Sequence, residues 1–330
     1  MSASDRAEPM SAKKILVTGG AGAIGSNLVR TLLDRGCEVV VLDDLSSGHA
    51  SNLPQSPQLT FHKGSVVEEV DLGKAFQQRY DIVFHLAALF ANQNSVEHPQ
   101  LDLQVNALGT LKVLEWSKNT GAGRVVFSSS SCVYGGSLGA LHEDQPRDFR
   151  ETPYGISKAM GEDYVHFYHE HHGIPIAILR YFNAYGPGEY PGRYRNVIPN
   201  FFARAMLGKP LVITGTGDET RDFTFIADTV EGTIRAAEAE AANGQIINLG
   251  RGQETTIRDI AEQINALAGN KAGIEYKPRR DWDHVSHRRA SIDRAQRLLN
   301  YDPKVPLEQG LELTWEWLRR NWKPVASEFP

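Results

Sequence analysis

"KILVTGGAGAIGSNLV", residues 14–29, carries a complete structural instruction in one short stretch. The apolar run at its start reads as a buried strand. Glycines at 19, 20, 22 and 25 follow it, and the amphipathic run after them reads as a helix stopped by Gly36. Two glycine patterns overlap. Gly20, Gly22 and Gly25 satisfy GxGxxG; Gly19, Gly22 and Gly25 satisfy GxxGxxG. Either one lets the backbone turn tightly and approach a pyrophosphate, with the helix N-terminus facing it. A strand before and a helix after are the context this reading requires. A second requirement is an acid at the end of the next strand. Asp43 stands there in "EVVVLDD" (38–44), followed by Asp44. A carboxylate at that place accepts from ribose hydroxyls and repels an added 2′-phosphate. No arginine follows at once, so NAD is favoured over NADP.

The pattern continues outward. "LTFHKG" (59–64), "YDIVFHLAA" (80–88), "GRVVFSSSS" (123–131) and "IPIAILRYFN" (174–183) are further strand signals. Helical stretches separate them, over Leu101–Asn119 and from Tyr154 onward. Short β-rich runs alternating with helices predict an α/β fold: a Rossmann-type doubly wound parallel sheet covered on both faces. Beyond Asn183, "AYGPGEYPGRYRN" (184–196) is loop chemistry. A helix ("VIPNFFARAMLG"), a strand ("PLVITG") and a last Trp-rich helix ending near Trp322 predict a smaller C-terminal α/β lobe. The expected division is a disordered tail over 1–12, a dinucleotide domain over 13–183 and a substrate lobe over 184–330. Some segments of the last are expected to return to the main sheet.

Composition narrows the partners. The chain has 330 residues and a formal charge of −5, which argues against a general nucleic-acid binder. The two cysteines, Cys37 and Cys132, form no metal or disulfide framework and fit a reducing, cytoplasmic setting. No apolar run reaches the roughly 18 residues a membrane span needs. The start, "MSASDRAEPMSAKK", has no apolar segment of the signal-peptide kind. The histidines of "HFYHEHHG" (166–173) read as a helix C-terminus, and no metal site is expected.

Tyr154 and Lys158, in "YGISK", are i and i+4 on one helix face. A phenol beside a fixed cation suggests a prepared base, because a neighbouring ammonium favours the phenolate. With "VTGGAGAIG", "HLAA", "SSSSCVYG", "YGISK" and "RYFNAYGPG" in this order, the chain resembles the extended short-chain dehydrogenase/reductases. More narrowly, it resembles the NAD-dependent nucleotide-sugar epimerases and dehydratases of the UDP-glucose 4-epimerase kind, from about Lys13 to Trp322.

The resemblance implies that Tyr154 is the catalytic base, that Lys158 serves it and that Ser130 shuttles the proton. It implies a cofactor site of Gly19, Gly22, Ala23, Ile24 and Gly25, with Asp43 and Asp44. Ser65, Val66, Leu86, Ala87, Ala88, Asn106, Ser128, Tyr154, Lys158 and Tyr181 complete that set. Ser65–Val66 replace an acid that relatives often use on adenine, and Phe90 replaces a lysine found in some 4-epimerases.

On the substrate side the resemblance implies Ser130, Asn183, Asn196, Val197, Arg221, Arg279 and Arg280, holding a nucleoside-diphosphate sugar, with a UDP-hexose favoured. Arginine suits a diphosphate because its planar fork donates two parallel bonds. Arg193 and Arg195 are open between an acidic sugar and solvent. Related dehydratases carry Asp-Glu after the shuttling residue, and decarboxylases usually keep the Glu. Here Ser131 and Cys132 stand there, which leaves C4 epimerisation through a 4-keto sugar. The alternatives are other nucleotide-sugar chemistry (4,6-dehydration, or epimerisation at C2 or C3/C5) and a silent NAD-binding protein. Relatives also imply a homodimer, formed by the helices near 101–119 and 154–171.

Overall fold

In the computed structural model, residues 12–137 and 139–323 are described. The tail expected over 1–12 therefore lies outside the described residues except for Ala12. The strands of the main sheet are β1 (Lys14–Thr18), β2 (Glu38–Asp43), β3 (Leu59–Lys63), β4 (Ile82–His85), β5 (Val125–Ser130), β6 (Ile176–Tyr181) and β7 (Gln245–Leu249). They form a seven-stranded sheet, all parallel, in the order β7-β6-β5-β4-β1-β2-β3. Every residue of β4, β5 and β6 is buried, as a strand covered on both faces must be. The last strand, β7, comes from far beyond Asn183 and pairs with β6, Leu249 beside Tyr181.

Helix α1 (Ala23–Asp34) packs one face of the sheet. Leu28, Val29 and Leu32 meet Ile15, Val39 and Phe84 there. The opposite face is covered by α2 (Gly109–Thr120) and α3 (Pro153–His172), through Val113, Leu114, Val165 and Tyr168. The helix expected over 101–119 begins earlier and is not uniform. A turn at Pro99–Asp102 runs into a π-wound segment, Leu103–Leu108, before α2. The wider winding turns Asn106 inward (fully buried), and such segments often accompany functional sites.

The C-terminal lobe has its own core. Helices α4 (Val197–Met206), α5 (Ile226–Glu238), α6 (Ile257–Ala268) and α7 (Leu307–Asn321) follow in order. Phe201, Phe202, Ile260, Ile264 and Leu311 pack together in that core. A buried ion pair ties α3 to the sheet. Arg180 on β6 makes two parallel bonds to Glu162, at 2.8 and 2.7 Å, and Ser129 donates to the same carboxylate.

Candidate active site

The sheet order reverses between β1 and β4, which opens a crevice at the carboxyl ends of the strands. A cleft of about 370 Å³ lies there, within the usual size of a small-molecule site.

At one end the cleft is lined largely by backbone. Gly19 has φ +72°, and a Cβ on it would stand 2.6 Å from the amide nitrogen of Ala87. A Cβ on Gly25 would stand 2.2 Å from the Gly19 carbonyl oxygen, whereas one on Gly20 would meet only Val41 methyl groups. The turn therefore uses the 19/22/25 pattern. Helix α1 opens from Gly22 with no side-chain cap, so its end is available to an anion. Gly19, Gly22, Ala23, Ile24, Gly25, Asp43, Asp44, Ser65, Val66, Leu86, Ala87 and Ala88 all line this end.

Asp43 is buried. Its oxygens accept the Ala21 and Leu45 amides at 2.9 and 2.8 Å, and burial still pushes the carboxyl above its ordinary value.

Asn106, by contrast, does not line the cleft. It exchanges hydrogen bonds with the backbone of Leu89, at 2.8 and 3.2 Å, and donates to Asp102. Its place in the architecture is behind the 86–89 loop, holding it. Tyr181 lines the cleft, but its hydroxyl is paired with Thr233 on α5.

The middle of the cleft joins β5 to α3. Thr152 caps α3 by accepting from Gly155, and Pro153 occupies its first turn, so Tyr154 enters the cleft from a fixed helix start. Ser130, the last residue of β5, faces it; Ser128 also lines the cleft. Burial pushes the Tyr154 phenol well above its ordinary value. Cys132 and Asp102 push the same way, and a hydrogen bond with Ser130 opposes them.

Lys158 is fully buried as well. Its ammonium donates to the Ser128 carbonyl at 2.8 Å and lies 5.8 Å from the centre of the Tyr154 ring. Burial pushes it down to about 8, against the pull of Asp102. Sequence reasoning has this ammonium drawing the phenol down. In the folded chain burial, with Cys132 and Asp102, outweighs it, and the ammonium's hydrogen bond goes to a carbonyl and not to the phenol oxygen.

The other end is lined by long side chains. Asn183, Asn196, Arg221 and Arg280 reach it, along with Trp282 and Asp283. Val197 and Arg279 do not line it. Val197 opens α4, and Arg279 lies 3.6 Å from Asp283, behind Arg221. Burial, with Arg288 and Arg279 nearby, pushes the Arg221 guanidinium down to about 10.

Arg288 was missed in the sequence. It is buried, donates to the Gly135 carbonyl at 2.8 Å and lies 3.7 Å from Cys132 Sγ, while its Nε has no partner. Only the pairing of Arg289–Ala290 with Ala140–Leu141 brings it there, and no local motif announces that pairing.

Glu189 was missed too, and Arg195, left open between an acidic sugar and solvent, turns to the cleft. Both line the cleft, and Arg195 donates to the backbone of Ser47. Arg193 instead pairs with Glu97, 3.0 Å away and largely exposed. The carboxylates lining the cleft are Asp43, Asp44, Glu189 and Asp283, and none stands at the two positions directly after Ser130. Among the described residues, no group of three metal-ligating side chains occurs, and no helix is long and apolar enough to cross a membrane.

Residues 15–250 match the NAD dependent epimerase/dehydratase family. A solved epimerase of the methanogen Methanothermobacter thermautotrophicus superposes with a TM-score of 0.93 at 48% identity, over 95% of this chain and 94% of that one. The UDP-glucose 4-epimerase of Mycolicibacterium smegmatis is 35% identical, over 93% of this chain and 99% of its own length. The UDP-N-acetyl-alpha-D-glucosaminuronate decarboxylase of Bacillus cytotoxicus is 33% identical, over 93% and 98%.

Proposed function

Because the chain belongs to the NAD-dependent epimerase/dehydratase family, we propose that it inverts C4 of a nucleoside-diphosphate sugar, a UDP-hexose, through a 4-keto sugar. One observation carries this reading. The cleft joins a Ser130–Tyr154 pair to an arginine-lined end, and the two residues after Ser130 are Ser131 and Cys132. A hydroxyl and a phenol can move a proton on and off a sugar oxygen. Without a carboxylate there, the second acid–base step of a dehydratase has no agent.

The glycine turn fits the family's cofactor: close backbone approach, an uncapped helix end and a buried carboxylate beyond it. Gly19, Gly22, Ala23, Ile24 and Gly25 hold the pyrophosphate, and Asp43 and Asp44 hold a ribose. Ser65, Val66 and Leu86–Ala88 wall the site. NAD, when bound, accepts and returns hydride at the sugar carbon.

With the positive ring of oxidised NAD, when bound, beside the phenol and favouring the phenolate, Tyr154 takes the C4 hydroxyl proton through Ser130 and later returns it. Lys158 holds the end of β5 through Ser128 and keeps a positive charge beneath the phenol ring. Arg221 and Arg280 take the diphosphate with Asn183 and Asn196. Residues 13–183 with β7 thus serve the cofactor, and the rest of the C-terminal lobe serves the sugar nucleotide.

The enzyme works as a homodimer. Leu101, Leu103, Leu108, Ile156, Met160 and Phe167 are exposed along the π-wound segment and α3, an apolar face suited to a second copy.

Incubation with UDP-glucose, UDP-N-acetylglucosamine and UDP-glucuronate, followed by chromatography of the released sugars, tests the reading. One of them is expected to yield its C4 epimer. Loss of carbon dioxide, or unchanged sugars from a protein that holds NAD, refutes it.

A further inference from the structure

Glu189 is buried and lines the cleft, yet no ion pair reaches it among the described residues. Its Oε1 accepts twice from Asn196, from the side-chain amide at 3.0 Å and the backbone amide at 3.4 Å. Its Oε2 has no partner. Burial favours the protonated acid; with Oε1 taken by two N–H donors, the proton sits on Oε2, and that hydroxyl then needs an acceptor.

The loop that carries Glu189 is fastened to the glycine turn. Asn27 of α1 donates to the Pro187 carbonyl at 2.8 Å, and Asn52 donates to both the Gly188 and Ala21 carbonyls. A Cβ on Gly188 would stand 3.4 Å from Ala23 Cα, so the backbone just before Glu189 touches the first turn of α1.

We propose that Glu189 is a carboxylic-acid donor, giving the proton on Oε2 to a phosphoryl oxygen of the dinucleotide held at the start of α1, so that retention of the cofactor weakens as pH rises. The charges around it agree. Arg195, on its own loop, is the cation nearest to it and favours the ionised form, but burial outweighs this and pushes the carboxyl up to about 7. The α1 side chains that reach the two residues before it, Ser26 and Asn27, are neutral. From the loop after β2 comes His49, whose imidazole burial and Arg195 push down, so it stays neutral near pH 7. A pyrophosphate bound there would add negative charge, which favours the protonated acid further. In the free protein Glu189 is therefore largely ionised above pH 7. Binding must return its proton, and affinity falls as pH rises.

The inference rests on the NAD placement proposed above, and on neither the sugar nor the C4 chemistry. Calorimetric titration with NAD between about pH 6 and about pH 9 tests it, with the wild-type protein and Glu189→Gln side by side. The wild type is expected to lose up to roughly tenfold in affinity per pH unit above neutrality, and Glu189→Gln to be flat over that range. A flat wild type, or equal slopes in both, overturns the proposal.

Titration with UDP alone separates the two sources of a phosphoryl oxygen. A slope with UDP and none with NAD moves the donor to the sugar nucleotide and overturns the assignment. Should Glu189→Gln fail to fold, infrared difference spectra of the wild type at about pH 8 decide. Adding NAD is expected to bring up a protonated-carboxyl C=O band, and no such band refutes the idea. NAD that binds at no pH sinks the cofactor placement beneath it, which is a different failure.

Discussion

The two ends of the cleft are built from different materials. The end near α1 is backbone: a glycine at positive φ, an uncapped helix start and strand termini, with Asp43 as its main charged contribution. The far end is side chain: Arg221 pairs with Asp283, Arg288 lies beside Cys132, and Arg280 lies over the Trp282 ring. Backbone geometry is rigid once the sheet forms. It suits a ligand that stays, and it tolerates little change. Long side chains can be retuned one at a time, which suits the end where related enzymes differ in substrate. Tyr154 stands at the junction, placed by the start of α3 and the end of β5.

This contrast can be broken, and the largest effect is expected at the junction. Tyr154→Phe should lower kcat by roughly 10²–10⁴-fold, while NAD and UDP both still bind. A variant with wild-type turnover removes the phenol from the chemistry. Next comes Arg221→Ala. Losing a charge-assisted phosphate contact should raise KM for the nucleotide sugar roughly 10- to 100-fold and leave NAD affinity where it was. If NAD binding falls equally, the two ends are not independent, and the contrast drawn here fails.

Asp43→Ala is the mirror experiment. It should weaken NAD by about tenfold and narrow the preference over NADP, with UDP binding unchanged. Equal NAD and NADP affinities in both proteins would exclude a ribose contact. Smallest in chemical consequence is Phe167→Glu, on the exposed face of α3. It should shift the protein from dimer to monomer in sedimentation, with the cleft intact; an unaltered dimer would put the contact elsewhere.

Much of the backbone end was legible in residues 14–44, because strand, glycine turn and acid lie close together in the chain and their spacing is dictated by local geometry. The Tyr154–Lys158 pair was legible for the same reason, since helical periodicity alone puts both on one face. Their electrostatics were not. Whether Lys158 relieves Tyr154 depends on where a buried ammonium finds a carbonyl, and Ser128 lies thirty residues earlier in the chain. Asn106 carried a family expectation of cofactor contact. The π-wound segment turns it behind the 86–89 loop, and no propensity scale marks that winding.

From its own order of residues, then, this chain determined an alternating parallel sheet, the glycine turn at its first crossover and a tyrosine one helical turn from a lysine. These depend on short-range periodicity, which is written into neighbouring positions. Folding alone decided that Arg288 donates to Gly135, that Glu189 lines the cleft with one oxygen unpaired, and that β7 joins the sheet beside β6. Those placements come from contacts between segments far apart in sequence, where burial sets both the charge of a group and the partner it lacks.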